Sequence, residues 1–258
     1  MIETKNLRYT IGNKLILDDV SVSFPSGKLH LIIGPNGAGK STLVKLISNQ
    51  IQASNGTIHY GTKALKSLTI SELAKIRAVL SQNIELAFPL KVSEVVMMGR
   101  YPHFTSKPTE KDDVACNEAM AFFDVLEMAN RDYMTLSGGE KQRVHFARVA
   151  SQIWFPVANY CRYLILDEPL TFLDVHYQFH FMNKLLDLLK QKDMVVVGVV
   201  HDLNLAAKFA DQIVLLHRGQ VLASGAPNKV LTKEYIKKAY HLEPVFHKTE
   251  NTTYLFFE

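Results

Sequence analysis

One stretch of the sequence restricts its fold more than any other: a glycine-rich loop between an apolar run and a helical pattern. The apolar run, residues 29–33, predicts a short buried strand. The loop that follows, Gly34-Pro35-Asn36-Gly37-Ala38-Gly39-Lys40-Ser41, fits the pattern GxxxxGK[ST]. In residues 41–50 apolar side chains recur at helical spacing. This order predicts a strand, a tight loop and a helix with one face in the core.

The chemistry of this loop indicates a site for the phosphates of a nucleotide. Its glycines let backbone N–H groups turn inward, and the next helix presents its positive N-terminal end to an anion. Lys40 supplies a mobile positive charge, and the Ser41 hydroxyl can ligate Mg²⁺. A fortuitous glycine-rich turn is the simpler alternative, but the flanking strand and helix favour the phosphate site.

The rest of the chain predicts an α/β fold. The 258 residues, 47% hydrophobic and 21% charged, suit one α/β domain or one domain with an inserted lobe. Apolar runs at residues 163–166 and 194–200 are typical of strands in a parallel sheet covered on both faces. We further expect antiparallel strands at a sheet edge in residues 1–24, a helical lobe at about 92–150 and a tail at about 227–258.

No membrane-spanning helix is expected. The longest apolar stretch, residues 194–200, is far short of the roughly 20 residues that cross a bilayer. The formal net charge of +4 is compatible with an anionic ligand or a membrane surface, although an ordinary globular protein explains it as well. Any membrane role must therefore be peripheral, through a partner that spans the bilayer.

Two carboxylates end the predicted strand at residues 163–166. A parallel strand delivers its last side chains to the crevice beside the phosphate loop. Asp167 is therefore expected to hold Mg²⁺, and Glu168 to polarise the attacking water as a general base. An acidic surface turn is the alternative, and the presence of the phosphate loop favours the catalytic interpretation.

The most informative string is Leu136-Ser137-Gly138-Gly139-Glu140-Lys141-Gln142-Arg143. A serine and two glycines that open a helix make a second anion site. The alternative is a capping box, with Ser137 as N-cap and Glu140 at the third helical position, and both can be true. The chain resembles ABC ATPases over about residues 1–226, and the LSGGE string is the hallmark of that family. The resemblance implies that Ser137, Gly138, Gly139 and Glu140 of one copy close over ATP bound to the loop of a second copy, in a head-to-tail homodimer.

The resemblance assigns further residues. Gln82 is similar to the glutamine that senses Mg²⁺, His201 to the histidine that contacts the γ-phosphate, and Asp174 to the aspartate at the dimer seam. The expected ATP and Mg²⁺ contacts are Gly34, Pro35, Asn36, Gly37, Ala38, Gly39, Lys40, Ser41, Thr42, Gln82 and Asp167, and the catalytic residues are Glu168, His201 and Lys40.

Two positions depart from the family pattern. Phe172 is bulky for a tight dimer seam. Ile11 stands where the aromatic residue that stacks on adenine is usual, and Tyr9, on the same strand face, is the candidate for that role.

Residues 83–104 resemble the group of ABC importers for iron chelates, cobalamin and haem. The resemblance implies an ATP-hydrolysing subunit at the cytoplasmic face of the cell membrane that drives haem uptake. Its partners would be a transmembrane permease dimer and, indirectly, an extracytoplasmic substrate-binding protein, with no nucleic acid. Import of ferric siderophores or cobalamin stays open, and so does a soluble ABC ATPase outside transport. Chromosome-maintenance ATPases of this family have a long coiled coil, for which this sequence lacks the heptads.

Overall fold

A computed structural model describes residues 1–81, 86, 89–191, 193–248 and 253–257. Its strands are β1 (Ile2–Ile11), β2 (Lys14–Phe24), β3 (Leu29–Ile33), β4 (Asn55–Tyr60), β5 (Lys63–Ala64), β6 (Arg77–Leu80), β7 (Arg162–Leu166), β8 (Met194–Val199), β9 (Gln212–His217), β10 (Gln220–Gly225), β11 (Pro244–Lys248) and β12 (Thr253–Phe257). Its α-helices are α1 (Lys40–Ile47), α2 (Ile70–Ile76), α3 (Val92–Met97), α4 (Glu110–Phe122), α5 (Gly138–Gln152), α6 (Val175–Gln191), α7 (Leu203–Phe209), α8 (Pro227–Val230) and α9 (Lys233–Tyr240).

The central sheet has six strands in the order β10-β9-β3-β8-β7-β6. All neighbours are parallel except β10 and β9, which form an antiparallel hairpin. The turn of that hairpin needs positive φ angles, which Arg218 (49°) and Gly219 (79°) adopt. The expected α/β fold is confirmed.

The antiparallel strands predicted near the N-terminus form a sheet of their own, in the order β2-β1-β4-β5. Strand β1 pairs antiparallel with both β2 and β4. The predicted antiparallel strands are confirmed. Alternation of apolar residues reports that one face is covered, but it does not identify the sheet that a strand joins.

Two buried clusters cover the faces of the central sheet. Alternate side chains of one strand enter different clusters, because successive residues point to opposite faces. In β7, for example, Leu164 and Leu166 join one cluster, while Tyr163 and Ile165 join the other. The continuous apolar runs predicted to be covered on both faces are thus explained.

Residues 92–150, predicted as a helical lobe, hold α3, α4 and all but the last two residues of α5, with short 3₁₀ helices between them. Helix α4 stops at Phe122, and Asp124 takes a φ of 58° shortly after it. Residues 126–128 form a separate 3₁₀ turn. None of the helices in the described residues has the length and apolar character that a bilayer crossing requires.

Candidate functional site

The phosphate loop, residues 34–42, follows β3 and leads into α1. Gly34 (φ 148°), Gly37 (φ 78°) and Gly39 (φ 100°) take conformations that other residues adopt at a cost. A Cβ at Gly34 would overlap the carbonyl oxygen of Leu216, whereas a Cβ at Gly37 would meet nothing within 4 Å. The loop is therefore tight where it leaves the sheet and open at Gly37, as a cradle for an anion requires.

Lys40 is the first residue of α1 and is buried, with 6% of its surface exposed. Its ammonium donates hydrogen bonds to the carbonyl oxygens of Gly34 (2.8 Å) and Pro35 (3.1 Å). Burial lowers the pKa of Lys40, and the nearby carboxylates of Glu168 and Asp167 oppose that shift. The charge is thus held inside the loop, where it can meet phosphate oxygens.

Ser41 and Asp167 bring two oxygen ligands together from separate elements. The Ser41 hydroxyl donates to Asp167 Oδ1 at 3.2 Å. Burial raises the pKa of Asp167, while the bond from Ser41 acts in the opposite direction. A hydroxyl and a carboxylate are ligands that Mg²⁺ prefers, so this pair fits the cation predicted for it.

Glu168 and His201 form the second pair at this edge of the sheet. His201 Nε2 lies 2.8 Å from Glu168 Oε1, and because a carboxylate accepts, the imidazole donates. Glu168 takes a φ of 52°, a left-handed conformation uncommon for glutamate. Glu168 and His201 line an open cavity of about 200 Å³, together with residues that include Thr171 and Gln178.

The parallel register explains why these residues meet. Ile32 pairs with Val199, and Leu166 pairs with Gly198, so the carboxyl ends of β3, β7 and β8 lie at one edge. The phosphate loop, Asp167 and His201 follow these three ends. This edge is where ligands bind in open α/β sheets.

The second predicted anion site, Ser137–Glu140, is built as a capping box at the start of α5. The Ser137 side chain accepts from the Glu140 N–H (3.3 Å), and the Glu140 carboxylate accepts from the Ser137 N–H (2.8 Å). The nearest groups to a Cβ at Gly138 and at Gly139 belong to Phe172 and Leu173. Within one chain, the start of α5 therefore lies beside residues 172–173, which follow Glu168.

That segment contains Asp174 and Phe172. Asp174 Oδ1 accepts from the Tyr177 N–H at 2.9 Å, which caps the start of α6. Phe172 has a φ of 110° and is 67% exposed, and Val175 is 69% exposed. Two large apolar side chains thus stand outward beside Asp174, at the position expected for the dimer seam.

Tyr9 is half-buried and packs against the buried cluster that contains Leu7 and Leu17. Ile11, in contrast, is 60% exposed. Tyr9 pairs with Leu17, whose side chain borders Gly39 of the phosphate loop. Tyr9 is therefore near the loop, and its role in stacking on adenine stays a prediction. Gln82 lies outside the described residues.

Two contacts near the site were not foreseen from the sequence. Gln142 Nε2 donates to the Pro169 carbonyl (2.8 Å), which ties α5 to the residue after Glu168. The Asp202 carboxylate accepts from Asn204 N (2.7 Å) and Leu205 N (3.1 Å) and so caps α7 directly after His201. The cap could have been recognised from an aspartate before a helical pattern. The bond from Gln142 has no local signal.

Comparison with known proteins agrees with this geometry. Residues 17–171, more than half of the chain, match a family model described as ABC transporter. The hemin import ATP-binding protein HmuV of Escherichia coli O157:H7 is 43% identical over 240 residues, which cover 93% of this chain and 92% of that protein. The protein of the same name from Gloeobacter violaceus is 42% identical, over 94% of this chain and 88% of its own length.

A solved structure, described as the dimeric structure of the bacterial ABC transporter cassette MJ0796, superimposes with a TM-score of 0.73. It is 26% identical to this chain, and the match covers 88% of this chain and 99% of that one. The family match, the curated relatives and the shared fold lead to one conclusion. The chain belongs to the ABC transporter family, as an ATP-hydrolysing subunit.

Proposed function

We propose that this subunit works as a head-to-tail homodimer that hydrolyses Mg-ATP to drive haem import through a membrane permease. The observation that carries the proposal is the meeting of the phosphate loop, the Ser41–Asp167 pair and the Glu168–His201 pair at one sheet edge. Each group has a distinct task in phosphoryl transfer to water.

Binding of ATP falls to the phosphate loop. Its inward N–H groups and the Lys40 ammonium would hold the β- and γ-phosphates. Ser41 and Asp167 would hold Mg²⁺, together with Gln82. When bound, Mg²⁺ supplies positive charge to the phosphate oxygens.

Hydrolysis falls to the Glu168–His201 pair. Glu168 would accept a proton from water as the water oxygen bonds to the γ-phosphorus and the bond to ADP breaks. His201 fixes one carboxylate oxygen of Glu168 through the 2.8 Å contact, so the base is oriented before water arrives. Lys40 and His201 would stabilise the negative charge that develops on the phosphate.

A second subunit would complete each site. The capping box at Ser137–Glu140 presents an N-terminal helix end with a hydroxyl, which suits the γ-phosphate of a nucleotide on another copy. Phe172 and Val175 give the region around Asp174 an exposed apolar surface suited to a contact between subunits. The MJ0796 cassette, which shares this fold, is described as a dimer.

The cargo assignment is supported by the names of two relatives at 42–43% identity, both described as hemin import proteins. The permease dimer would hold the subunit peripherally at the cytoplasmic face of the membrane. A substrate-binding protein outside the membrane would deliver the cargo and affect this subunit only indirectly.

Reconstitution tests the cargo. The subunit is purified with its permease, placed in liposomes and supplied with ATP, Mg²⁺ and the substrate-binding protein. Haem-loaded binding protein should stimulate ATP hydrolysis, whereas ferric siderophore and cobalamin should not. Stimulation by either of those and not by haem would contradict the cargo assignment, while leaving the ATPase assignment intact.

A further inference from the structure

The backbone that leaves strand β7 is held by hydrogen bonds on both sides of Glu168. Just before it, the Asp167 N–H donates to the carbonyl oxygen of Leu80 on β6 at 2.9 Å. The carbonyl oxygen of Glu168 itself accepts from the Thr171 hydroxyl at 3.0 Å. These two bonds tie the residue to the central sheet and to the turn that follows it.

The next carbonyl, that of Pro169, is held from a different element. Nε2 of Gln142, the fifth residue of α5, donates to this oxygen at 2.8 Å. The two residues are 27 positions apart in the chain. The bond therefore connects the helix that begins after Ser137 with the residue directly after the proposed general base.

Proline at position 169 makes the bond from Gln142 act on Glu168. Four torsions lie between the Cα of Glu168 and the carbonyl oxygen of Pro169. The planar peptide bond fixes one, and the pyrrolidine ring fixes a second. The bond from Thr171 restrains the third, since it holds the Glu168 carbonyl. The bond from Gln142 restrains the last, so the position of Glu168 is linked to α5 without a freely rotating bond.

Glu168 needs such restraint because its backbone is strained. Its φ of 52° is left-handed, which is costly for a residue with a side chain, and the ring of Pro169 restricts it further. A residue of this kind keeps its conformation only where the surroundings impose it. The held carbonyls impose it on the backbone, while His201, at 2.8 Å, orients the carboxylate.

We propose that Gln142 is a positioning residue for hydrolysis, which keeps Glu168 in its left-handed conformation by holding the Pro169 carbonyl. The inference rests on the proposed function, since it takes Glu168 as the general base. It gives a task to a residue of the string from Leu136 to Arg143 for which the sequence indicated none.

Gln142→Met should slow hydrolysis and spare ATP binding. Methionine is unbranched and of similar length, but it cannot donate to the Pro169 carbonyl. Glu168 can then relax out of its strained conformation, and its carboxylate moves away from the attacking water. The rate of the hydrolytic step should fall about tenfold to 100-fold. ATP affinity should stay within about twofold of wild type, because the phosphate loop is unchanged.

The experiment measures ATP affinity and single-turnover hydrolysis with the full-length subunit bound to its membrane partner. Gln191→Met, at the exposed end of α6, is the matched control. Gln142→Glu keeps the shape of the side chain and also lacks the donor, so it serves if Gln142→Met does not fold. A wild-type rate in Gln142→Met would overturn the inference. A loss of ATP affinity as large as the loss of rate would do so as well, since it would indicate a general disturbance of the site.

A double variant separates positioning from a general structural effect. If Gln142 acts through Glu168, adding Gln142→Met to Glu168→Gln should lower the residual rate by less than about twofold. A loss that multiplies in full would overturn the inference. A wild-type rate in Glu168→Gln alone would instead overturn the proposed base, and this inference with it.

Discussion

The His201 imidazole and the Glu168 carboxylate form a hydrogen-bonded pair, with 2.8 Å between Nε2 and Oε1, at the ends of two neighbouring parallel strands. His201 is half-exposed, whereas Glu168 keeps 16% of its side-chain surface accessible. The Glu168 carboxylate is thus largely shielded from solvent, whereas the His201 ring is accessible to a bound nucleotide. A change at Glu168 should therefore affect the hydrolysis of ATP and leave the binding of ATP intact.

Glu168→Gln should keep ATP binding and lose turnover by at least about 100-fold, because the amide cannot accept the proton of the attacking water. Equilibrium binding of ATP and single-turnover hydrolysis measure the two effects separately. Glu243→Gln, on the surface, is the control for the loss of one carboxylate. A rate within about threefold of wild type would exclude Glu168 as the general base.

Ser41→Ala should raise the Mg²⁺ concentration needed for half-maximal hydrolysis, because it removes one of the two oxygen ligands that meet at 3.2 Å. Titration with Mg²⁺ at saturating ATP measures the change. Ser26→Ala, in an exposed turn, is the matched control. An identical Mg²⁺ requirement in both variants would remove Ser41 from the metal site.

Subunit mixing tests the shared site. Lys40→Ala disables the phosphate loop, and Ser137→Arg disables the anion site at the start of α5, so each variant alone should be inactive. A mixed dimer contains one intact site. That site is made from the phosphate loop of the Ser137→Arg subunit and helix α5 of the Lys40→Ala subunit. The mixture should regain about a quarter of the wild-type rate if dimers form at random and each site works alone. Ser106→Arg, exposed, controls for the bulky substitution. No recovery after verified exchange of subunits would contradict a site completed by the second copy.

Stability at low pH should depend on Asp112. Its ion pair with Arg100 (2.9 Å) is buried, with both side chains 3% exposed. Burial alone would raise the pKa of Asp112, but hydrogen bonds from Thr109 and Arg100 bring it below its ordinary value. The ionised carboxylate therefore stabilises the fold above its unfolded pKa of about 3.9, and this contribution is lost as pH falls through the lower folded-state pKa.

Asp112→Asn should accordingly lower the free energy of unfolding at pH 7 by about 3 kcal/mol, since it leaves Arg100 buried without its charge partner. The difference from wild type should shrink below about pH 4. Urea unfolding at both pH values measures this, with the exposed Asp113→Asn as control. A difference that is the same at both pH values would show that the charge of Asp112 is not what stabilises the fold.

Several elements were predictable because their signals are local. The apolar run of β3, the phosphate loop and helix α1 lie where the sequence places them, since strand, turn and helix patterns each extend over a few residues. Strand β11 was missed, because Pro244 and the polar His247 break the alternation that identifies strands. The end of helix α4 at Phe122 was not predictable either, because Asp124, which takes a left-handed φ of 58° just after it, is not a glycine.

In the candidate site, too, residues with a local sequence signal were predictable and contacts between distant residues were not. Asp167 and Glu168 were predictable because they follow one strand within one motif. The Asn204–Leu255 contact was not, since it joins residues far apart in the chain whose proximity depends on how residues 253–257 pack against α7. Long-range hydrogen bonds of this kind carry no periodicity or spacing that a single sequence can display.

The most direct test of the account is the association state of Glu168→Gln, in which hydrolysis is blocked and bound ATP persists. Sedimentation velocity is run without nucleotide, with ADP and with ATP plus Mg²⁺, on the purified variant and on the variant bound to its membrane partner. The account predicts a dimer of this subunit with ATP that dissociates or opens with ADP, and no ATP-driven dimer when Ser137→Arg is added. A subunit that binds ATP and never pairs under either condition would contradict it.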